Sequence, residues 1–185
     1  MTSKFLLALL TLSLIICSVL NVNLKSKSKV SLKEELFKGF IFTIDNYVNS
    51  MKINGQSILI EQFPKARNWQ MIDELKYDFR EGDVIEITGE NHLAYSSGNP
   101  AGLIGEIYYT DKNGNVNVFP TNDKWICNGK PAKDLGAYGS GAWGTRLEYS
   151  LNSGHWIWSE NLADGTAVCS VTLITPDLVS NSDDC

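Results

Sequence analysis

The chain has 185 residues, of which 43% are hydrophobic and 20% charged, and its formal net charge is −5. A chain of this length favours one domain with a sizeable core. The acidic balance argues against a nucleic-acid-binding protein, because such proteins present a basic surface to the phosphates.

The first 22 residues have the pattern of a secretory signal peptide. A short basic start that ends at Lys4 precedes an almost wholly apolar run, Phe5–Leu20. A comfortable membrane span needs ~20 residues, so we predict that residues 1–22 are a signal and that the mature protein is secreted, without a membrane span. An uncleaved anchor is the alternative. Residues 23–36 are polar and predict a linker.

Short strand-like runs separated by turns fill most of residues 37–175, the predicted domain. Asn54-Gly55 is the dipeptide that a two-residue type I′ hairpin prefers, and it predicts a hairpin here. Strand-like runs are predicted at Phe37–Ile44, Tyr47–Ile53, Ser57–Glu61, Ile72–Phe79, Val84–Thr88, Leu103–Thr110, Val116–Phe119, Trp125–Cys127, His155–Trp158 and Ala167–Ile174, with a further short aromatic run at Arg146–Leu151.

This pattern predicts an all-β fold, an antiparallel sandwich or barrel. About nine or ten short strands with turns every 8–12 residues are typical of these folds. An α/β fold is disfavoured because no helix-length segment separates the strands. Ala132–Gly144 is too loose for a strand and too rich in glycine for a helix. Residues 176–185 predict a flexible acidic tail.

Three cysteines follow the predicted signal. Cys127 and Cys169 both lie in strand-like apolar contexts, which makes them the preferred disulfide pair in a secreted protein. Cys185, the last residue, is left for intermolecular pairing or as a free thiol. No metal site is predicted from the cysteines, because there is no Cys-x-x-Cys pair and both histidines are far from them in sequence.

A series of short motifs occurs in order along the chain. They are Asp45-Asn46-Tyr47, Asn54-Gly55, Asn68-Trp69, Gly82-Asp83-Val84-Ile85, Pro100-Ala101-Gly102-Leu103-Ile104, Asp123-Lys124-Trp125 and His155-Trp156-Ile157-Trp158. With this order and spacing, the chain resembles the galactose-binding-like β-sandwich, in the jelly-roll form found on extracellular and carbohydrate-active proteins. The resemblance implies a binding module, commonly for carbohydrate, with its ligand loops at one end of the sandwich. The family also serves in adhesion and in purely structural roles.

Two loops carry the groups that a sugar site needs, namely a flat aromatic face and fixed hydrogen-bonding side chains. One is the polar loop that opens the stretch Glu90–Tyr109, and the other is the glycine-rich stretch Tyr138–Arg146. Trp143 is predicted to stack on the sugar if it is exposed; alternatively, it folds back over the sandwich as a lid. The predicted ligand-binding residues are Asn91, His92, Tyr95, Asn99, Tyr138, Trp143 and Arg146.

Oxygen-bearing side chains at alternate positions from Asp111 to Asn117 superficially suggest a calcium loop. The Asn113-Gly114 dipeptide at the centre of this segment favours a hairpin turn instead, and no glutamate closes the loop. We therefore predict no cofactor here, and a bound calcium ion remains the alternative to a simple turn.

The absence of familiar catalytic motifs favours a binding protein over an enzyme. The sequence has no Gly-x-Ser-x-Gly, His-Glu-x-x-His or P-loop motif. We therefore predict a secreted, non-catalytic, lectin-like module that binds glycans. The alternative is an extracellular structural, adhesion or filament subunit whose partners are other protein chains, including copies of itself.

Overall fold

A computed structural model describes residues 38–151 and 153–174. The predicted signal, linker and tail lie outside these residues. Within them the chain forms one 3-10 helix, Ile60–Gln62, and twelve strands. The strands are β1 Gly39–Asp45, β2 Tyr47–Ile53, β3 Gln56–Ile58, β4 Asp73–Lys76, β5 Val84–Glu90, β6 Gly102–Thr110, β7 Val116–Pro120, β8 Ile126–Cys127, β9 Lys130–Pro131, β10 Lys133–Ala137, β11 His155–Trp158 and β12 Thr166–Thr172.

The strands form two sheets that pack together. The first sheet has the order β10-β11-β6-β1-β4, and β7 pairs with the second half of β6. The second sheet has the order β3-β2-β5-β12-β8-β9. Neighbouring strands are antiparallel in both sheets. The prediction of an all-β antiparallel sandwich is confirmed, and the architecture is consistent with a jelly roll.

The main core lies between the sheets and follows from the alternation of the strands. On β1, Phe40, Phe42 and Ile44 point inward and are at most 2% exposed. The sheets approach closely at Gly89 of β5, because a Cβ there would come within 2.7 Å of the Ile44 side chain. Trp125 is fully buried in this core, as its strand-like context predicts.

A second hydrophobic cluster covers the outer face of the first sheet. Trp143, Leu147 and Leu151 pack there against Ile104 of β6 and Trp156 of β11. The segment 138–151, which follows β10, thus lies across the sheet as a covering layer. This face is therefore buried, although a sandwich of two layers would leave it open to solvent.

Two sequence predictions about strands are wrong in part, and the short aromatic run Arg146–Leu151 is not a strand. Lys133–Ala137, inside the stretch judged too loose for a strand, forms β10. It pairs only with β11 and is half-exposed or exposed, so it has no apolar alternation to reveal it. Arg146–Leu151 forms turns and bends instead of a strand, because its leucines pack onto the sheet as part of the covering segment. The run Ile72–Phe79 is a strand only at Asp73–Lys76.

The predicted disulfide and the predicted hairpin are confirmed. Cys127 of β8 faces Cys169 of β12 directly, and the two are bonded. Asn54-Gly55 joins β2 to β3 with φ angles of 51° and 78°, the positive values that a type I′ turn requires. Asn128-Gly129 joins β8 to β9 with the same angles.

The segment after β6 is a turn organised by Asp111. The carboxylate of Asp111 accepts hydrogen bonds from the backbone N–H groups of Asn113 and Asn115, both at 2.8 Å. Its second oxygen accepts from the side-chain amides of Asn115 and Asn117. The hairpin-turn interpretation is confirmed, and these side chains have a structural role in the turn.

Candidate functional site

A mostly polar cavity of about 310 Å³ lies at one end of the sandwich. Four segments meet there: the end of β1, the connection before β4, the loop before β6 and the covering segment. The lining residues are Asp45, Asn46, Trp69, Ser97, Gly98, Asn99, Pro100, Ala142, Trp143 and Arg146. The two loops that the sequence singled out therefore converge, and they bring Asn99, Trp143 and Arg146 together.

Asp45, the last residue of β1, is a buried carboxylate beneath the covering segment. It is 4% exposed, and it accepts hydrogen bonds from the Trp143 indole N–H at 3.0 Å and from the Asn46 amide at 2.6 Å. Burial raises the pKa of Asp45 to about 6, although these two donors and the nearby Arg146 charge oppose the shift.

Trp143 is packed, not exposed. Its indole is 4% exposed and stacks on Trp156 with ring centroids 4.3 Å apart. The two rings lie over Gly102 of β6, where a Cβ would come within 2.8 Å of both. Of the two alternatives for Trp143, the structure has the one in which it folds back over the sandwich. So deeply buried a ring has no open face on which a sugar could stack.

Trp69 is the aromatic side chain that remains partly exposed at the cavity. Its carbonyl oxygen accepts a hydrogen bond from Thr43 of β1 at 3.0 Å, which holds the connection against the first sheet. Its ring meets Trp156 edge-on, and the Arg146 guanidinium lies over it at 5.5 Å from the ring centroid. Trp69 is therefore the lining aromatic that keeps a partly exposed side chain, whereas Trp143 is buried.

Arg146 is held at the cavity by three contacts. Its Nε donates to the Trp143 carbonyl oxygen at 3.0 Å, and its Nη2 donates to the carbonyl oxygen of Ala142. The third contact is the Trp69 ring. These contacts fix the plane of the guanidinium at the cavity wall.

Asn99 organises the loop on the opposite wall. Its amide nitrogen lies 3.2 Å from three oxygens, the side-chain oxygen of Asn91 and the carbonyls of His92 and Ala94. The loop is also tied to β1, because the His92 N–H donates to the Asn46 side-chain oxygen at 2.7 Å. Asn99 and Asn46 thus combine a lining position with a structural role.

The other predicted ligand-binding residues do not line the cavity. Asn91 is 5% exposed and supports Asn99 from behind. His92 is exposed and packs beside Tyr47, and Tyr95 is exposed on the loop. Tyr138 is half-buried against the second cluster. Their predicted role in ligand binding stays a prediction.

Sequence reasoning missed Asp45 and Asn46 as lining residues and left open whether Trp69 has a role in binding. Asp45 carried no signal of burial, because alternation places it on the outer face of β1, where polar residues usually face water. Trp69 lies in a connection without periodicity, and nothing in its neighbourhood indicated the cavity.

A salt bridge fastens the covering segment beside the site. Lys65 Nζ lies 2.7 Å from Glu148 Oε1, which also accepts the Ile72 backbone N–H at 2.7 Å. The hydrogen bond from Lys65 and the nearby charge lower the pKa of Glu148. This pair closes the segment onto the connection that carries Trp69.

In residues 38–151 and 153–174, no group of three or more His, Cys, Asp or Glu side chains is placed to hold a metal ion. The same residues contain no helix with the length and apolar character of a membrane-spanning one.

Comparison of the chain with protein-family models, curated proteins and solved structures finds no match.

Proposed function

We propose that the protein is a secreted, non-catalytic binding module of galactose-binding-like type that holds one sugar unit of a glycan in the end cavity. The observation that carries this proposal is the convergence of the loop 97–100 and the segment 142–146 on Trp69 in one polar cavity. Ligand sites combine such a concave shape with an aromatic surface and a few fixed polar groups. The volume is near the lower end of the usual range of about 300–1,000 Å³, which suits one sugar ring.

Each group at the cavity has a defined role in this proposal. Trp69 gives the apolar surface for the C–H face of the sugar ring. Arg146 donates to ring hydroxyls, and the Asn99 side-chain oxygen accepts from one. Asp45 sits deeper and holds the indole of Trp143, so it shapes the cavity floor.

The test is a glycan array with the wild-type protein and the Trp69→Ala variant, each with and without calcium. We expect wild-type binding to a defined set of glycans and a loss of about tenfold or more in affinity in the variant, because stacking and ring burial are worth one to a few kcal/mol. Titration calorimetry on the best glycan gives the affinities.

Trp69→Phe keeps a ring and is expected to retain part of the binding, which separates a binding role from a folding defect. Tyr77→Ala is the matched control, since Tyr77 is an exposed aromatic that packs beside Phe79 and does not line the cavity. A blank array with and without calcium, or equal affinity in all four proteins, contradicts the proposal.

A second candidate is an extracellular structural or adhesion subunit that binds other protein chains. The observation in its favour is an apolar group on the outer side of the second sheet, where Val84, Ile126 and Val168 are 39–41% exposed. Apolar side chains exposed on one face of a sheet are available for contacts with another chain. Size-exclusion chromatography with and without reductant tests it: assemblies that survive excess free sugar favour this candidate, and a monomer that sugar elutes from a polysaccharide column favours the lectin.

A further inference from the structure

We infer that the ligand is an anionic saccharide, one that carries a carboxylate or sulfate group, and that Arg146 is the anchor for this charge, with Arg67 on the connection that carries Trp69 as a second positive charge. The inference rests on the proposed function of the cavity and adds the chemical class of its ligand. It follows from the arrangement of charges around the cavity.

Arg146 is positioned as an anion anchor. Its Nε and Nη2 are used by two carbonyl oxygens, whereas its Nη1 donates no hydrogen bond to any of the residues that the structure describes. The guanidinium is thus fixed in plane while one edge remains for a ligand. Guanidinium groups bind carboxylate and sulfate-like oxygens with two parallel hydrogen bonds, and a fixed plane reduces the entropy lost on binding.

A second guanidinium lies on the same connection. Arg67, two residues before Trp69, lies over the Tyr47 ring at 5.0 Å from its centroid. Tyr47 directly follows Asn46, which lines the cavity. Both arginines are therefore held against aromatic rings at this end of the sandwich.

Neither arginine forms a salt bridge with a carboxylate of residues 38–151 or 153–174, although the Arg146 charge lies near enough to Asp45 to lower its pKa. Asp45 is buried and accepts two hydrogen bonds. Glu148 is paired with Lys65, and Asp73 is buried and accepts the Lys65 backbone N–H at 3.0 Å. Glu90 accepts a hydrogen bond from the Asn49 amide. The chain has a net charge of −5, yet it presents two exposed arginines, Arg67 and Arg146, at this end of the sandwich.

The experiment compares charged and neutral forms of the same saccharides by titration calorimetry at low and high salt. The probes are a galacturonic acid oligomer, the same oligomer after carboxyl reduction, a sulfated galactan oligomer and its desulfated form. We expect at least one charged form to bind about tenfold tighter than its neutral partner or more, and added salt to reduce this difference. Which charged form binds identifies carboxylate or sulfate.

Variants of the two arginines test which of them binds the charged group of the ligand. Arg146→Gln is expected to weaken binding of the charged form by about 10- to 100-fold and of the neutral form by a clearly smaller factor, because both lose a donor to a ring hydroxyl and only the charged form loses a charge-assisted hydrogen bond. Arg146→Lys should restore part of the affinity. Arg67→Gln, which leaves the covering segment intact, should weaken the charged form several-fold. Arg80→Gln is the control, since Arg80 lies with Asp78 away from this cavity.

The outcomes separate the proposed glycan-binding function from the inference of an anionic ligand. If neutral and charged forms bind equally and Trp69→Ala weakens both, the cavity binds glycans and the inference of an anionic ligand is overturned. If Arg146→Gln weakens neutral and charged forms alike, Arg146 is a structural residue and the anchor is overturned. If none of the four probes binds but the array shows binding of neutral glycans that Trp69→Ala weakens, the inference is overturned and the proposed function stands; if the array is blank as well, both are contradicted.

Discussion

Asp45 is the residue whose environment differs most from what its type prefers. A carboxylate on a buried face costs free energy unless it is hydrogen-bonded, and here the Trp143 indole and the Asn46 amide supply the hydrogen bonds. These bonds also link β1 to the covering segment across 98 residues of chain. The protonation state of the Asp45 side chain therefore affects how Trp143 and the covering segment pack at the cavity.

The raised pKa of Asp45 predicts that stability decreases as pH rises. Its pKa is about 6 in the folded protein and near 3.8 in the unfolded chain. Between these values the folded protein binds more protons than the unfolded chain, so the free energy of unfolding falls through this window. After allowance for solvent at the cavity, we expect a loss of about 1–2 kcal/mol.

Urea unfolding at pH values from about 3 to about 7 measures this effect, because these limits lie outside the two pKa values. The variant Asp45→Asn should lack this part of the pH dependence. Burial also raises the pKa of Asp73, but Asp73 is present in both proteins, so the difference between the two curves isolates Asp45. Parallel curves for the wild type and the variant contradict the prediction.

At the scale of elements, the covering segment depends on a glycine in the strand beneath it. Trp143 and Trp156 stack above Gly102, the first residue of β6, with no room for a Cβ. This close packing holds Trp143 against the sheet and thereby positions the wall of the cavity that Trp143 and Arg146 form. The segment has no strand of its own over 138–151, so its packing on the sheet holds it in place.

Gly102→Ala is expected to destabilise the protein by about 1–3 kcal/mol, because the methyl group overpacks against two rigid indole rings. The indole N–H of Trp143 should then lose its bond to Asp45 and exchange faster with solvent. Urea unfolding measures the first effect, and hydrogen exchange followed by NMR measures the second.

Gly165→Ala is the matched control, since a Cβ at Gly165 meets no atom within 4 Å. It should change neither the stability nor the exchange of the Trp143 indole proton. An unchanged exchange rate in Gly102→Ala would show that the covering segment does not depend on this contact.

At the scale of the whole molecule, the disulfide closes the part of the chain that contains the covering segment. Cys127 and Cys169 are 42 residues apart, and the segment 138–151 lies between them. The bond joins the neighbouring strands β8 and β12 inside the core, where both cysteines are at most 1% exposed. It therefore restricts the unfolded chain over the region that supplies Ala142, Trp143 and Arg146 to the cavity.

Replacing both cysteines by alanine is expected to lower the free energy of unfolding by about 2–4 kcal/mol, because the unfolded chain regains the entropy of an open loop. Urea unfolding of the oxidised wild type and of the double variant measures the change. The double variant should not respond to dithiothreitol, whereas the wild type should lose a similar amount of stability on full reduction. Equal stability of the two proteins contradicts the prediction.

The sequence by itself determined the fold class, most strands, the hairpin turns and the disulfide. These features depend on local patterns: alternation in β1 and β5, Asn-Gly dipeptides with positive φ, and two cysteines in apolar strands. Local patterns report which side of a strand is buried and where the chain reverses, because these properties involve neighbouring residues. The two loops of the cavity were found in the same way, from their polar and aromatic composition.

Only the tertiary structure decided what covers the outer face of the first sheet. That face is buried by a segment about 98 residues away from Asp45 in the chain, and no local pattern in 138–151 predicts such packing. The same contact buries Trp143, leaves Trp69 at the cavity and raises the pKa of Asp45. These properties arise from contacts between residues distant in sequence, so they exist only once the sheets have formed.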